Sequence, residues 1–382
     1  MFKSLLTTAM VVGVSAFGLA AGMSANSSAA YAADTKEEIV QKYADLVFKD
    51  YEEAYEDALE LRTAVQAFLA NPNDATLKEA KEEWLESRDS YGVTEAFRFY
   101  EGPIDYVDAN GNEGPEGRLN SWPLDEAYID YVQGNPTAGI VNDAGVELSK
   151  AALIDKNQAD DEAQVATGYH AIEFLLWGQD LSLDSAGMRP ASDYADTPEN
   201  ARRRQYLQIV TDILVDDLKG LVDAWTPGQD NYAASFVKDD QALSKILTAL
   251  ATLSGFELAS ERLATALDSG DQEDEHSCFS DNTHNDFIQN QQGIVNVYFE
   301  SGLYEHLESV DEELAENLED HVIKTLKQMK ALPHPVDREI LATPAGSQAR
   351  IDAEAIIKSL QEQADLFKKA GEVLNVQVSI NQ

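Results

Sequence analysis

The chain has 382 residues, with 69 acidic against 28 basic side chains and a formal net charge of −41. So acidic a surface repels nucleic acid and anionic lipid, so no nucleic-acid partner is expected, and most of the charge reads as a solvated face. The single cysteine, Cys278, excludes an internal disulfide.

The first residues read as an export signal. Lys3 supplies the positive start, Leu5 to Ala21 is an apolar run rich in small residues, and Ala30-Tyr31-Ala32 offers a small-x-small cleavage site. Cleavage near Ala32 leaves a mature protein that begins near Ala33, periplasmic or associated with the outer membrane. No cysteine lies near that site, so no lipid anchor is expected there. No later stretch has the roughly 18 consecutive apolar residues of a membrane span.

After the signal the composition is helical, with proline at segment ends. Thr35-Lys-Glu-Glu38 forms a capping box, and Ile39, Tyr43, Leu46, Val47, Tyr51 and Ala54 open a helical stripe that Asn71-Pro72 stops. A second helix is expected from Thr76, with Glu79 as its box partner, to about Tyr100. Residues 101–133 are rich in Gly, Pro, Asn and Asp and read as loop, with a short helix near Leu124 to Val132. The segment Thr167 to Gly178 is apolar nearly all round, with Val165, Tyr169, Ile172 and Leu176 on one stripe, so it reads as a buried helix. Thr197-Pro198 looks like an N-cap and first helical position for a helix to about Trp225. Further helices are expected at about 240–267, 286–300, 307–331 and 348–374. Between them, residues 268–286 form a long polar run without periodicity, of the kind that is often functional in a compact protein. No strand pattern persists, and the chain reads as all-α.

Three of these helices carry ionisable groups on inward stripes. His170 and Glu173 lie three residues apart on one face of the apolar helix. Arg88 and Glu95 share a stripe with Trp84 and Tyr91. Positions 246, 250, 253, 257, 260, 264 and 267 read Ile, Leu, Leu, Glu, Ser, Ala and Leu, which puts Glu257 inward, with Glu261 one turn on beside Arg262. Buried charges are costly unless paired, so each case has a plain structural explanation in a buried bridge or a hydrogen-bonded core histidine. Convergence of the three helices would instead make a polar pocket in an apolar shell.

Metal chemistry fits this set. His170 and Glu173 supply two ligands for a divalent ion, iron in preference to zinc, and Glu95, Glu257, Glu261, Asp281 and His284 are the candidates for the rest. The acidic 268–286 run is a candidate calcium loop, although it lacks the spacing of a known one. His306, His321 and His334 read as surface or helix-end residues. The His-Glu-x-x-His pattern, a serine elbow, a Walker loop and a Rossmann fingerprint are all absent.

Gly168-x-His170-x-x-Glu173 resembles the Gly-x-His-x-x-Glu signature of the imelysin-like family. Trp84-x-x-x-Arg88 with Tyr91-Gly-Val-Thr-Glu95-Ala-Phe, the block Gly255 to Arg262, and Glu275-His-Ser-Cys-Phe-Ser-Asp-Asn-Thr-His284 are similar to three further blocks of that family, in the same order. The resemblance implies two helix-bundle lobes related by an apparent duplication, at about 35–178 and 197–375, with the signature near their interface. It implies metal binding at the signature, and it leaves two activities open. One is an iron-linked, non-catalytic envelope protein that binds metal or an iron-bearing ligand, with envelope iron-uptake proteins as candidate partners. The other is a metal-dependent endopeptidase with His170 as ligand and Glu173 or Glu257 as base. A structural or interaction protein held by buried bridges is the third reading.

Overall fold

The computed structural model describes residues 34–380, so the expected signal and cleavage site lie outside the described residues. Nine helices of eight or more residues carry the described architecture. They are α1 (Lys36–Ala70), α2 (Asp74–Val93), α3 (Gly168–Trp177), α4 (Ala201–Trp225), α5 (Ala242–Ser269), α6 (Thr283–Glu300), α7 (Leu303–Val310), α8 (Glu312–Ala331) and α9 (Gln348–Val373). Shorter helical turns fill the connections, and no strand forms among the described residues.

Caps set several of the boundaries. Thr35 and Glu38 close the box at the start of α1 as expected. Helix α2 begins earlier than expected because Asn73 is its cap. The Thr76 hydroxyl accepts from the Asn73 backbone, and Glu79 plays no part. It also stops short, at Val93, and passes into a tight turn at Thr94–Phe97. Helix α4 starts at Ala201, since Thr197-Pro198 forms a turn before it. The helix expected at 307–331 is two helices. Asp311 leaves helical geometry, and its carboxylate accepts from the Leu314 backbone at 3.1 Å, which starts α8.

The helices pack in two groups. Helix α1 lies against α2 and α4, and α3 is wedged between α2 and α4. Helix α5 packs on α9, and α8 lies against α6 and α9. Contact between α2 and α6 joins the groups, which belong to one unit spanning Ala33–Gln382. Helix α4 turns its apolar face, with Leu207, Leu214 and Leu218, into the first group. Helix α5 is apolar and long enough to cross a membrane by composition alone, but most of it is buried in the second group.

Helix α3 is wholly buried, as its lack of a polar face requires. Several polar tips around it find partners, although the Tyr91 hydroxyl and Trp122 Nε1 meet none among the described residues. Trp84 Nε1 donates to the Tyr169 carbonyl at 3.0 Å, Tyr169 and Ser87 share a hydroxyl contact at 2.9 Å, and Tyr206 donates to the Ala166 carbonyl at 2.7 Å.

Candidate metal centre

Glycine opens the signature for a steric reason. Gly168 has φ +87°, and a Cβ there would lie 2.6 Å from the carbonyl oxygens of both Arg118 and Leu119. Only glycine tolerates both the conformation and that approach. The close approach brings segment 118–120 against α3, and Asn120 then meets the His170 ring: its Oδ1 lies 3.2 Å from Nε2.

His170 and Glu173 are fully buried, and His170 Nδ1 lies 3.0 Å from Glu173 Oε2. The proton positions follow from the neighbours. Asn120 Oδ1 accepts from Arg88 Nη1 at 2.6 Å, and Asn120 Nδ2 donates to Glu95 Oε1 at 3.2 Å. That orientation makes His170 Nε2 the N–H donor and leaves a lone pair on Nδ1. Burial, reinforced by Arg88 and His276, holds His170 well below the usual histidine range, so it is neutral at pH 7. Burial pushes the Glu173 carboxyl up to about 8, although Ser280 partly offsets this by donating its N–H at 2.9 Å and its hydroxyl at 2.7 Å to Oε1. A lone pair therefore faces a carboxyl oxygen that needs either a proton or a cation between them.

The surrounding charges form one connected network. Arg88 grips Asp286 with two bonds, at 3.1 and 3.2 Å, and Asp286 also accepts from Ser277 at 2.6 Å and lies 3.0 Å from His276 Nδ1. Burial opposes the Asp286 charge, but Arg88 and His276 hold that carboxyl far below its usual range. Burial also pulls His276 down, to about 4. Its ring centroid is 4.7 Å from that of His170, and no described residue hydrogen-bonds to its Nε2. Glu95, opposed by burial, is held low by Arg98 and Arg262, each bonded to Oε2 at 2.7 Å. Arg262 in turn binds Glu257 at 2.8 Å, and Arg98 binds Glu116 at 3.0 Å.

The structure thus gathers Arg88, Glu95, His170, Glu173, Glu257 and Arg262 into one network, and it leaves three expected members out. Residues 253–264 of α5 wind as a π-helix, in which residues five apart come together. Glu257 therefore meets Arg262, while Glu261 turns to solvent and leaves the site. His284 Nε2 donates to the Met329 carbonyl at 2.9 Å and its ring stacks on His334 at 4.6 Å, away from the network. Asp281 lies with Asp180 and Asp337, one carboxylate oxygen of each within 4.8 Å of the others. It is the only member of the 268–286 run in that group. Asn120, His276, Ser280 and Asp286 were not expected in the network. Asn120 lies in the loop-rich stretch 101–133 and the other three in the aperiodic run 268–286, where no register marks which polar side chains turn inward.

The fit to a metal is that of a two-donor site. Ligands held at about 2.1 Å and at right angles stand about 3.0 Å apart, the spacing of Nδ1 and Oε2. Among the described residues, no third His, Cys, Asp or Glu donor joins this pair within 4.8 Å.

The comparisons agree with this architecture. The imelysin family model matches residues 47–367. Iron-regulated protein A of Synechococcus elongatus is 26% identical over 344 residues, covering 85% of this chain and 83% of its own. Two crystal structures share the fold. A protein assigned as an iron-regulated protein A precursor, from Parabacteroides distasonis, has a TM-score of 0.67 at 19% identity, over 89% of this chain and 97% of that one. An imelysin-like protein from Psychrobacter arcticum has a TM-score of 0.66 at 15% identity, over 91% and 99%. The described all-α fold and the match across most of its length make this chain a member of the imelysin family.

Proposed function

We propose that the protein is exported to the cell envelope, where it takes part in iron handling. It binds a divalent metal, iron in preference to zinc, at His170 and Glu173 without catalysing a reaction. The observation that carries this reading is the Nδ1 lone pair facing Glu173 Oε2 at 3.0 Å in a buried, arginine-balanced chamber. A mixed nitrogen and oxygen donor pair suits iron. The iron-regulated relative supports the biological setting. With two protein donors, the remaining positions on a bare ion fall to small exogenous ligands such as water.

Two features weigh against the peptidase reading. Catalytic zinc takes three protein ligands and an open position, and here no third donor stands close. A peptide also needs access, and both His170 and Glu173 side chains are sealed from solvent.

The test is to load the purified mature chain with ferrous iron under anaerobic conditions, desalt it and measure metal content, then assay peptide cleavage with and without chelator. About one iron per chain is expected, falling at least roughly tenfold in both His170→Ala and Glu173→Gln, with no cleavage. Chelator-sensitive cleavage abolished by Glu173→Gln selects the peptidase. Absence of iron from folded wild-type protein leaves a structural network alone.

A further inference from the structure

We propose that Asp180, Asp281 and Asp337 form a second cation site, for a hard divalent ion of the calcium class, separate from the His170–Glu173 centre. The three carboxylates come from three distant segments: the loop after α3, the polar run before α6, and the short helical segment Asp337–Leu341. Their oxygens lie within 4.8 Å of one another. Oxygens bound to one calcium at about 2.4 Å can stand no further apart than about 4.8 Å, so the three meet the pairwise spacing that a shared ion requires.

Proximity of acidic groups alone would not suffice. The second observation is Asp337. It is only 3% exposed, and neither of its carboxylate oxygens has a hydrogen-bond partner among the described residues. Asp180 is equally buried, and although Ser182 donates to its Oδ1 at 3.1 Å, its Oδ2 has none. Native proteins rarely leave buried carboxylate oxygens bare, because the desolvation penalty is then unopposed. No lysine or arginine among the described residues makes an ion pair with any of the three, and Arg338 turns instead to Glu339 at 2.8 Å. Nearby Glu275 is also buried, with a bare Oε1. Burial first, and then the charge of Asp337, pushes Asp281 up to about 7. An all-oxygen, all-carboxylate set suits calcium, magnesium or manganese rather than a softer metal. An open groove of about 610 Å³, lined in part by Asp180, Gln272, Glu273 and Asp337, gives an entry path.

The ion would tie together loops that already touch: Gly187 N–H donates to the Phe279 carbonyl at 2.9 Å, and Gln272 Nε2 donates to the Asp180 carbonyl at 2.7 Å. Asp281 directly follows Ser280, which binds Glu173, so the ion would also brace the segment that closes the His170 centre. The assignment does not depend on metal binding at His170.

The test uses the purified mature chain, stripped with chelator, dialysed and titrated with calcium chloride alone at pH 7.5, followed by calorimetry and thermal unfolding. The expected result is one calcium per chain and an unfolding midpoint raised by roughly 3–6 °C at about a hundredfold excess over Kd. Asp281→Asn and Asp337→Asn should each weaken binding at least roughly tenfold, and His170→Ala should leave it unchanged. Asp281 is half-buried, so its variant reports on the site even if Asp337→Asn fails to fold. Absence of binding below about 10 mM overturns the proposal, since the weakest extracellular calcium modules bind at about 1 mM. Equal binding by wild type and Asp281→Asn, loss in His170→Ala, or a stronger response to magnesium overturns it too.

Discussion

Around His170, the carboxylates of Glu95, Glu116, Glu257 and Asp286 face the guanidiniums of Arg88, Arg98 and Arg262. Around Asp337, three carboxylates form no ion pair with a described lysine or arginine, and Arg338 pairs with Glu339 instead. The contrast separates two uses of buried charge. In the first region the protein supplies its own counter-ions, and one proton or one metal between His170 and Glu173 completes the balance. In the second, the proposed cation from solvent would supply the counter-charge. A residue's acidity is therefore a poor guide to its role; what surrounds it decides.

The largest break in this comparison is expected from Gly168→Ala. A Cβ at that position meets two carbonyl oxygens at 2.6 Å in a left-handed conformation, so the 118–120 segment must move and Asn120 leaves His170. We expect a loss of more than about 3 kcal/mol, or no soluble protein, measured by thermal unfolding. Next in size, Arg88→Met strands Asp286 in the interior and should cost about 3–5 kcal/mol. The opposite sign is expected in the other region. Asp337→Asn removes a buried charge that forms no ion pair among the described residues, so calcium-free protein should unfold at a higher temperature than wild type. Equal signs for these two variants would erase the distinction.

A pH scan sharpens it. Glu173 titrates near 8 in the folded chain against about 4.3 when unfolded, so the folded state holds a proton that the unfolded state releases. Its contribution to stability is fully present below about pH 4 and is lost as pH rises through about 8. Metal-free Glu173→Gln, which carries no ionisable group there, should lose less stability than wild type between pH 5 and pH 8.5, as followed by chemical denaturation. The smallest effect is expected on the face that π-winding turns outward: Glu261→Ala should change stability by less than about 0.5 kcal/mol, while Glu257→Ala, which removes a partner of Arg262, should cost more.

Much of the fold was legible from residue order because helices announce themselves. The Thr35 box follows from its local residues, and the buried stripe of α3 and the inward position of Arg88 follow from a period near 3.6. The π-winding of α5 was not legible, since it changes which residues align without changing composition, and that is why Glu261 stands among the candidate donors although it is exposed. His276, Asn120 and Asp286 were missed because their inward turn is fixed by distant partners, Arg88 above all, rather than by local register. Asp180 and Asp337 were missed for the same reason: 157 residues part them in sequence, and only the folded chain places their oxygens within 4.8 Å.

The central claim is that a metal ion takes the place of the proton between His170 and Glu173. The most direct test is anomalous diffraction at the iron absorption edge from crystals of the mature chain grown with ferrous iron. The account predicts a peak bonded to His170 Nδ1 and Glu173 Oε2, absent from Glu173→Gln crystals. A peak confined to Asp180, Asp281 and Asp337, or no peak in iron-saturated crystals, would contradict it.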